Sequence, residues 1–221
     1  MTMKTDELIS SLAADTRTPI RRLRPPFVRL MAWLALSVPW VVIVVAVMHL
    51  RPDLAAKLQE SRWMVEQGAS LATALTAAMA AFCAGVPGRP RWELFMPLAP
   101  LLLWLGALGT GCVSDWIAAG PHGMSFEQDW ECLPGIVMVG MVPGIAMAAM
   151  LHRGAPLAPT LSVGLGGLAA AALADFGLRL FHTQDAGLMV LIWQVGTVAL
   201  LTMLSTAIGR RLLRWRHLAP R

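Results

Sequence analysis

Six stretches free of Asp, Glu, Lys, Arg and His, each 19 to 24 residues long, constrain this chain more than any other feature. They run from Leu30 to Met48, between Glu66 and Arg89, between Glu93 and Asp115, between Glu131 and His152, between Arg153 and Asp175, and between Asp185 and Arg210. A bilayer's hydrocarbon core is about 30 Å thick and needs about 20 helical residues to cross. Six windows arriving independently at that length predict an all-α fold, a polytopic membrane protein with a six-helix transmembrane bundle. The spans are expected at about 28–50, 64–86, 94–113, 133–151, 157–176 and 187–208, inside a transmembrane domain of about 27–209. The first window is too long for a signal-peptide core and has no small-x-small cleavage site after it, so it is taken as a retained anchor.

The charges say which way the spans thread. Only 14% of the residues are charged, against roughly 25% in a soluble domain. The formal net charge of +5 could suggest nucleic acid, but Lys and Arg gather at the ends of apolar windows, which is a topology signal. With the N-terminus in the cytoplasm, Arg51, Lys57, Arg62 and Arg179 fall outside and the other 14 of 18 stay inside. Residues 210–221 then form a basic cytoplasmic tail. The connection from Ser114 to Glu131 faces outward with Asp115, Glu127, Asp129 and Glu131 and no Lys or Arg.

Within lipid, small residues mark where helices approach closely. Gly140 and Gly144 form a G-x-x-x-G, Gly106, Gly109 and Gly111 line the third span, and Gly164, Gly166 and Gly167 lie in the fifth. Pro143 is expected to kink the fourth span and free a carbonyl that a neighbouring helix must satisfy. Glu66, Asp175 and Arg179 are expected near outer span ends within reach of water, with Asp175 and Arg179 paired four apart on one helix. No H-E-x-x-H, G-x-S-x-G, Walker loop or C-x-x-C occurs. No enzyme and no resident cofactor is expected.

The three cysteines differ by position. Cys83, near the cytoplasmic end of the second span, is expected to be an inert packed thiol in Ala-rich surroundings. Cys112 and Cys132 end the third span and open the fourth, both on the outer face, where a periplasm would be oxidising. A disulfide between them and two unpaired thiols both fit the sequence. His122 and His182 fall on the same face. Thiolate with imidazole suits a zinc-, cadmium- or copper-like ion, which makes Cys132 and His182 metal-ligand candidates and a transient heavy-metal ion a candidate ligand.

Residues 1–26 form a cytoplasmic segment with a short helix written into it. Thr5 can cap the helix, and Asp6 and Glu7 suit its positive end. Leu8, Ile9 and Leu12 form one apolar stripe. About ten residues are too few to be stable alone, so the stripe needs either a partner's groove or the membrane surface. Pro19, Pro25 and Pro26 stiffen the link to the first span, and Arg21, Arg22 and Arg24 suit anionic lipid.

Short stretches in order along the chain resemble a known family. They are Met3-Lys4-Thr5-Asp6-Glu7-Leu8-Ile9 with Leu12-Ala13-Ala14-Asp15, then Arg22-Leu23-Arg24-Pro25-Pro26, then Trp130-Glu131-Cys132-Leu133. Arg153-Gly154-Ala155-Pro156-Leu157-Ala158-Pro159 and Gly209-Arg210-Arg211-Leu212-Leu213-Arg214-Trp215 follow. With these the chain resembles the NrsF-type membrane anti-sigma factors of proteobacteria. The resemblance implies a regulator in the bacterial inner membrane that sequesters an extracytoplasmic-function sigma factor. The cytoplasmic N-terminal segment would hold the sigma factor, with Thr5, Asp6, Leu8, Ile9 and Leu12 as contact candidates. It also implies release by an outward-side oxidant or heavy metal acting on cysteine.

Cys132 matches one family cysteine. The second lies in a Cys-Pro-x-Asp-like stretch, where this sequence has His182-Thr183-Gln184-Asp185. Cys112 as the replacement partner, a metal shared by Cys132 and His182, and a different signal all follow from that departure. Cys132, Cys112 and His182 are therefore the sensing candidates. The implied partners are the sigma factor and the lipid bilayer, not nucleic acid. Two rival readings are a membrane thiol–disulfide oxidoreductase using Cys112 and Cys132, and a small transporter. The first lacks a second redox pair on the outer face; the second is disfavoured by windows free of ionisable groups.

Overall fold

The computed structural model describes residues 5–14, 23–119, 132–154 and 158–183, with Gly196, Ala199, Leu200, Thr202, Met203, Leu204 and Ala207 beyond them. The described residues are helical with no strand. Helix α1 spans Thr5–Ala14, α2 Pro26–Met48, α3 Leu54–Lys57 and α4 Ser61–Cys83. A 3-10 turn at Arg91–Phe95 leads into α5, Leu98–Ala119, and α6 and α7 follow at Cys132–His152 and Pro159–Leu178. The sixth expected span, the basic tail and the acidic connection lie wholly or mostly outside the described residues.

Local sequence explains where these helices start and stop. Pro26 and Pro159 sit in the first turns of α2 and α7, where a missing N–H costs nothing. After α2, His49 turns to φ 64° and Pro52 prevents resumption. The second charge-free window runs on to Gly88, but α4 stops at Cys83. Gly85 and Pro87 follow, and Gly88 takes φ +79°. At its other end α4 begins at Ser61 and takes in Arg62 and Glu66, residues the window excluded.

Three stretches, Pro26–Met48, Arg91–Ser114 and Pro159–Leu178, are helical, long and apolar enough to cross a membrane. Their outward faces carry apolar side chains, with Val42 and Leu102 each 60% exposed. Lipid is the solvent such faces suit. This is a multi-pass membrane protein.

α4 is the centre of the bundle. It packs most extensively on α7, then on α5 and α2, while α6 packs on α7 and α2. Its buried face is largely alanine, including Ala74, Ala77, Ala78 and Ala81 at 0% exposure, so backbones approach closely. Trp33 and Trp104 are the largest fully buried side chains.

The glycines divide into contacts and non-contacts. A Cβ on Gly140 would lie 3.1 Å from Ala174 Cβ, whereas one on Gly144, Gly106 or Gly109 would meet nothing within 4 Å among the described residues. The tightest three-helix meeting is at Gly177, where a Cβ would fall 2.8 Å from Val139 Cγ1 and 2.9 Å from Val41 Cγ1. β-Branched neighbours have little rotamer freedom to yield. Gly177→Ala should therefore destabilise the bundle by about 1–3 kcal/mol through overpacking, read as a lowered unfolding midpoint in detergent. Gly144→Ala should leave the midpoint unchanged.

Pro143 lies inside α6, as the sequence requires. Two buried or half-buried indoles of α2 donate to α6 carbonyls on either side of the break. Trp33 Nε1 bonds the Pro143 carbonyl at 2.9 Å, and Trp40 Nε1 bonds that of Met138 at 3.1 Å.

Candidate functional site

Helix α1 begins at Thr5, so the capping position falls on Lys4, outside the described residues. Asp6 and Glu7 occupy its first turn, and Ser10 Oγ donates to the Glu7 carbonyl at 3.0 Å. Ile9 is 59% exposed. A branched apolar side chain that open on a ten-residue helix is available to a partner surface. The side chains of Leu8 and Leu12 lie outside the described residues.

At the other functional region, the helix ends carrying two of the sensing candidates are neighbours. Cys132 is the first residue of α6, and His182 follows α7, its N–H donating to the Leu178 carbonyl at 2.9 Å. Three residues into α6, Gly135 packs against Leu178 and Phe181, with its Cβ position 2.7 Å from Leu178 Cδ1. The side chain of Cys132 lies outside the described residues, as do His122, Glu127, Asp129 and Glu131. Among the described residues no group of three or more His, Cys, Asp and Glu is arranged to hold a metal.

The same end of the bundle contains an ionic cluster the sequence did not reveal. Glu66, Asp175 and Arg179, expected near water, are 3%, 0% and 3% exposed. Arg179, four residues after Asp175 on the same helix, also reaches across the α4–α7 interface, where its Nη2 donates to Glu66 Oε2 at 2.6 Å. The cause is the depth of the helices: Glu66 lies beyond the first turn of α4 and Asp175 within the last turn of α7, where alanine-lined packing closes over both. Ser70 Oγ donates to the Ala172 carbonyl at 3.0 Å and reaches Asp175 Oδ2 at 3.5 Å. Gln67 Nε2 bonds the Phe176 carbonyl at 3.4 Å.

Arg62 carries the cluster across to α5. Its Nε lies 3.5 Å from Glu66 Oε1, and its Nη1 donates to Ser114 Oγ at 3.2 Å. Gly111 leaves the space this guanidinium fills, for a Cβ there would sit 3.2 Å from Nη1. Cys112 is thus flanked by two residues that touch Arg62. The chain of charges Arg62–Glu66–Arg179 runs from the Cys112 turn to the helix end preceding His182.

Arg51 closes this end from the α2–α3 linker. Buried at 3% exposure, it grips Asp53 with two bonds of 2.7 and 2.9 Å and donates to the Thr183 carbonyl at 3.4 Å. Its own N–H bonds the Leu180 carbonyl at 3.1 Å. The Arg51 guanidinium holds the Asp53 carboxyl below its ordinary range. That contribution is present at neutral pH and is lost as pH falls through the lowered value.

At the opposite end, Cys83 is buried as expected, but its surroundings are polar as well as alanine-rich. Near it lies Glu93, itself buried, which Arg89 grips at 2.6 and 3.0 Å.

The charge pattern could have disclosed the cross-helix pair. Arg62 and Glu66 stand four apart in the order plus, minus, and Asp175 and Arg179 four apart in the order minus, plus. Complementary charges on two otherwise apolar helices can pair across the interface as well as along each helix, as Glu66 does with Arg179 and Arg62.

Membrane-length helices with a short exposed helix ahead of them define a multi-pass membrane protein with an N-terminal helical segment. The family model for NrsF, negative regulator of sigma F, matches residues 12–215, and the chain belongs to this family. Its function is negative regulation of a sigma factor; members are anti-sigma factors and not enzymes. No curated protein and no solved structure matches the chain.

Proposed function

We propose that this chain is an inner-membrane anti-sigma factor with six spans and both termini in the cytoplasm. It holds an extracytoplasmic-function sigma factor through residues 1–26, with the Leu8, Ile9 and Leu12 stripe of α1 seated in a groove of the sigma factor and Thr5 and Asp6 at its rim. Seated there, the helix occludes the surface the sigma factor uses for RNA polymerase. The observation that carries this reading is the family match over residues 12–215 on an all-helical chain with membrane-length helices. Exposure of Ile9 on α1 supports the choice of segment.

Release is triggered from the outer side. An oxidant or heavy-metal ion reacts at Cys132, with Cys112 or His182 as second participant, and the bundle redistributes between two arrangements that differ in affinity for the signal. A difference of about 3 kcal/mol between the arrangements would change sigma affinity more than a hundredfold.

The holding half is tested by affinity capture. The solubilised full chain should retain a co-expressed extracytoplasmic-function sigma factor from its own cell, and the chain lacking residues 1–26 should not. Equal capture by both would remove the N-terminal assignment.

A further inference from the structure

We propose that Arg29, Trp33 and Trp40 are positioning residues that clamp α2 to the backbone of α6 and so fix where the sigma-holding segment leaves the bundle; this rests on the function proposed above. The three donors lie on α2 and all reach main-chain carbonyls of α6. Arg29 Nη2 bonds Met150 at 2.8 Å, Trp33 Nε1 bonds Pro143 at 2.9 Å, and Trp40 Nε1 bonds Met138 at 3.1 Å. Donor numbers rise while acceptor numbers fall, so one antiparallel seam runs along most of both helices. Arg29 is 6% exposed, its guanidinium sits 4.5 Å from the centroid of the Phe82 ring, and Gly154 leaves the room for it: a Cβ there would lie 3.0 Å from Nη2.

A seam made to carbonyls responds to where α6 sits. Translating α6 along its axis, or rotating it about that axis, carries each carbonyl away from the indole or guanidinium that donates to it. The two helices joined this way are the ones that matter for coupling. α6 opens at Cys132, and Arg29 stands three residues after Pro26, in the first turn of α2 on the side from which the N-terminal segment enters. Any event that shifts α6 at its Cys132 end is therefore felt at the base of the holding segment.

The test uses the full chain in lipid nanodiscs and the dissociation constant for the extracytoplasmic-function sigma factor that the full chain captures. Arg29→Gln should weaken binding about tenfold or more, because it removes a charged donor. Trp33→Phe and Trp40→Phe, which keep the ring and remove only the N–H, should each weaken it about threefold to tenfold. Arg29→Lys, which keeps a cationic donor, should stay within about threefold of the parent. Trp104→Phe alters an equally buried indole on α5 outside the seam and should match the parent. Should Arg29→Gln fail to accumulate in membranes, the two Trp variants decide.

Parent-like binding by the seam variants would overturn the proposal, as would equal weakening by Trp104→Phe. A parent chain that bound no sigma factor would instead remove the function on which the proposal rests.

Discussion

Replacing Arg179 with methionine should cost the bundle about 3–5 kcal/mol, the loss typical of removing one partner from a buried ion pair. Both Arg179 and Glu66 are nearly inaccessible, so Glu66 cannot recover hydration when its partner is gone. Arg62 stands 3.5 Å from Glu66 and compensates only in part, being itself partly exposed. The double variant Glu66→Leu/Arg179→Met removes both charges and should recover most of the loss. Unfolding midpoints of parent, both single variants and the double variant in one detergent complete the cycle. A single Arg179→Met variant within about 1 kcal/mol of the parent would mean the pair is hydrated and the cluster is not a buried one.

The second large effect is expected at Cys132. A serine there is nearly the same size but is neither a nucleophile nor a soft ligand near neutral pH. Cys132→Ser should leave sigma sequestration intact, because α6 begins at the same residue with the same backbone. Induction by oxidant or heavy metal should collapse toward the uninduced level, since a signal that cannot distinguish two arrangements shifts nothing. His182→Ala separates the two chemistries: it should blunt induction by metal and spare induction by oxidant if metal is shared with Cys132. A Cys132→Ser chain that responds normally would remove the sensing assignment.

Five of the six charge-free windows fall largely on helices, α2, α4, α5, α6 and α7, and three of the described stretches are long and apolar enough to cross a membrane, as excluding charge over about 20 residues allows. Window edges mislead where a helix runs past them. α4 begins at Ser61, before the window that follows Glu66, and so places Glu66 in the interior where an edge count put it near water. The Arg179–Glu66 pair was hidden for the same reason: partner choice depends on which helices touch, and spacing along one helix suggested Asp175 instead.

Tryptophan gave no warning of its role either. Trp33 and Trp40 read as ordinary apolar residues, yet each N–H seeks a carbonyl on α6, a contact with no signature in side-chain identity on the accepting helix. Glycine was legible only in part. Gly140 and Gly177 meet neighbouring helices, while Gly106, Gly109 and Gly144 meet nothing among the described residues, and a one-dimensional pattern cannot tell these apart.

Whether membrane-spanning helices hold a sigma factor beneath them by way of a short leading helix is tested most directly by fractionating cells that express this chain together with the sigma factor it captures. The sigma factor should sediment with membranes when the chain is present and return to the soluble fraction when the chain is absent or lacks residues 1–26. A sigma factor that stays soluble beside the intact, membrane-inserted chain would contradict the account.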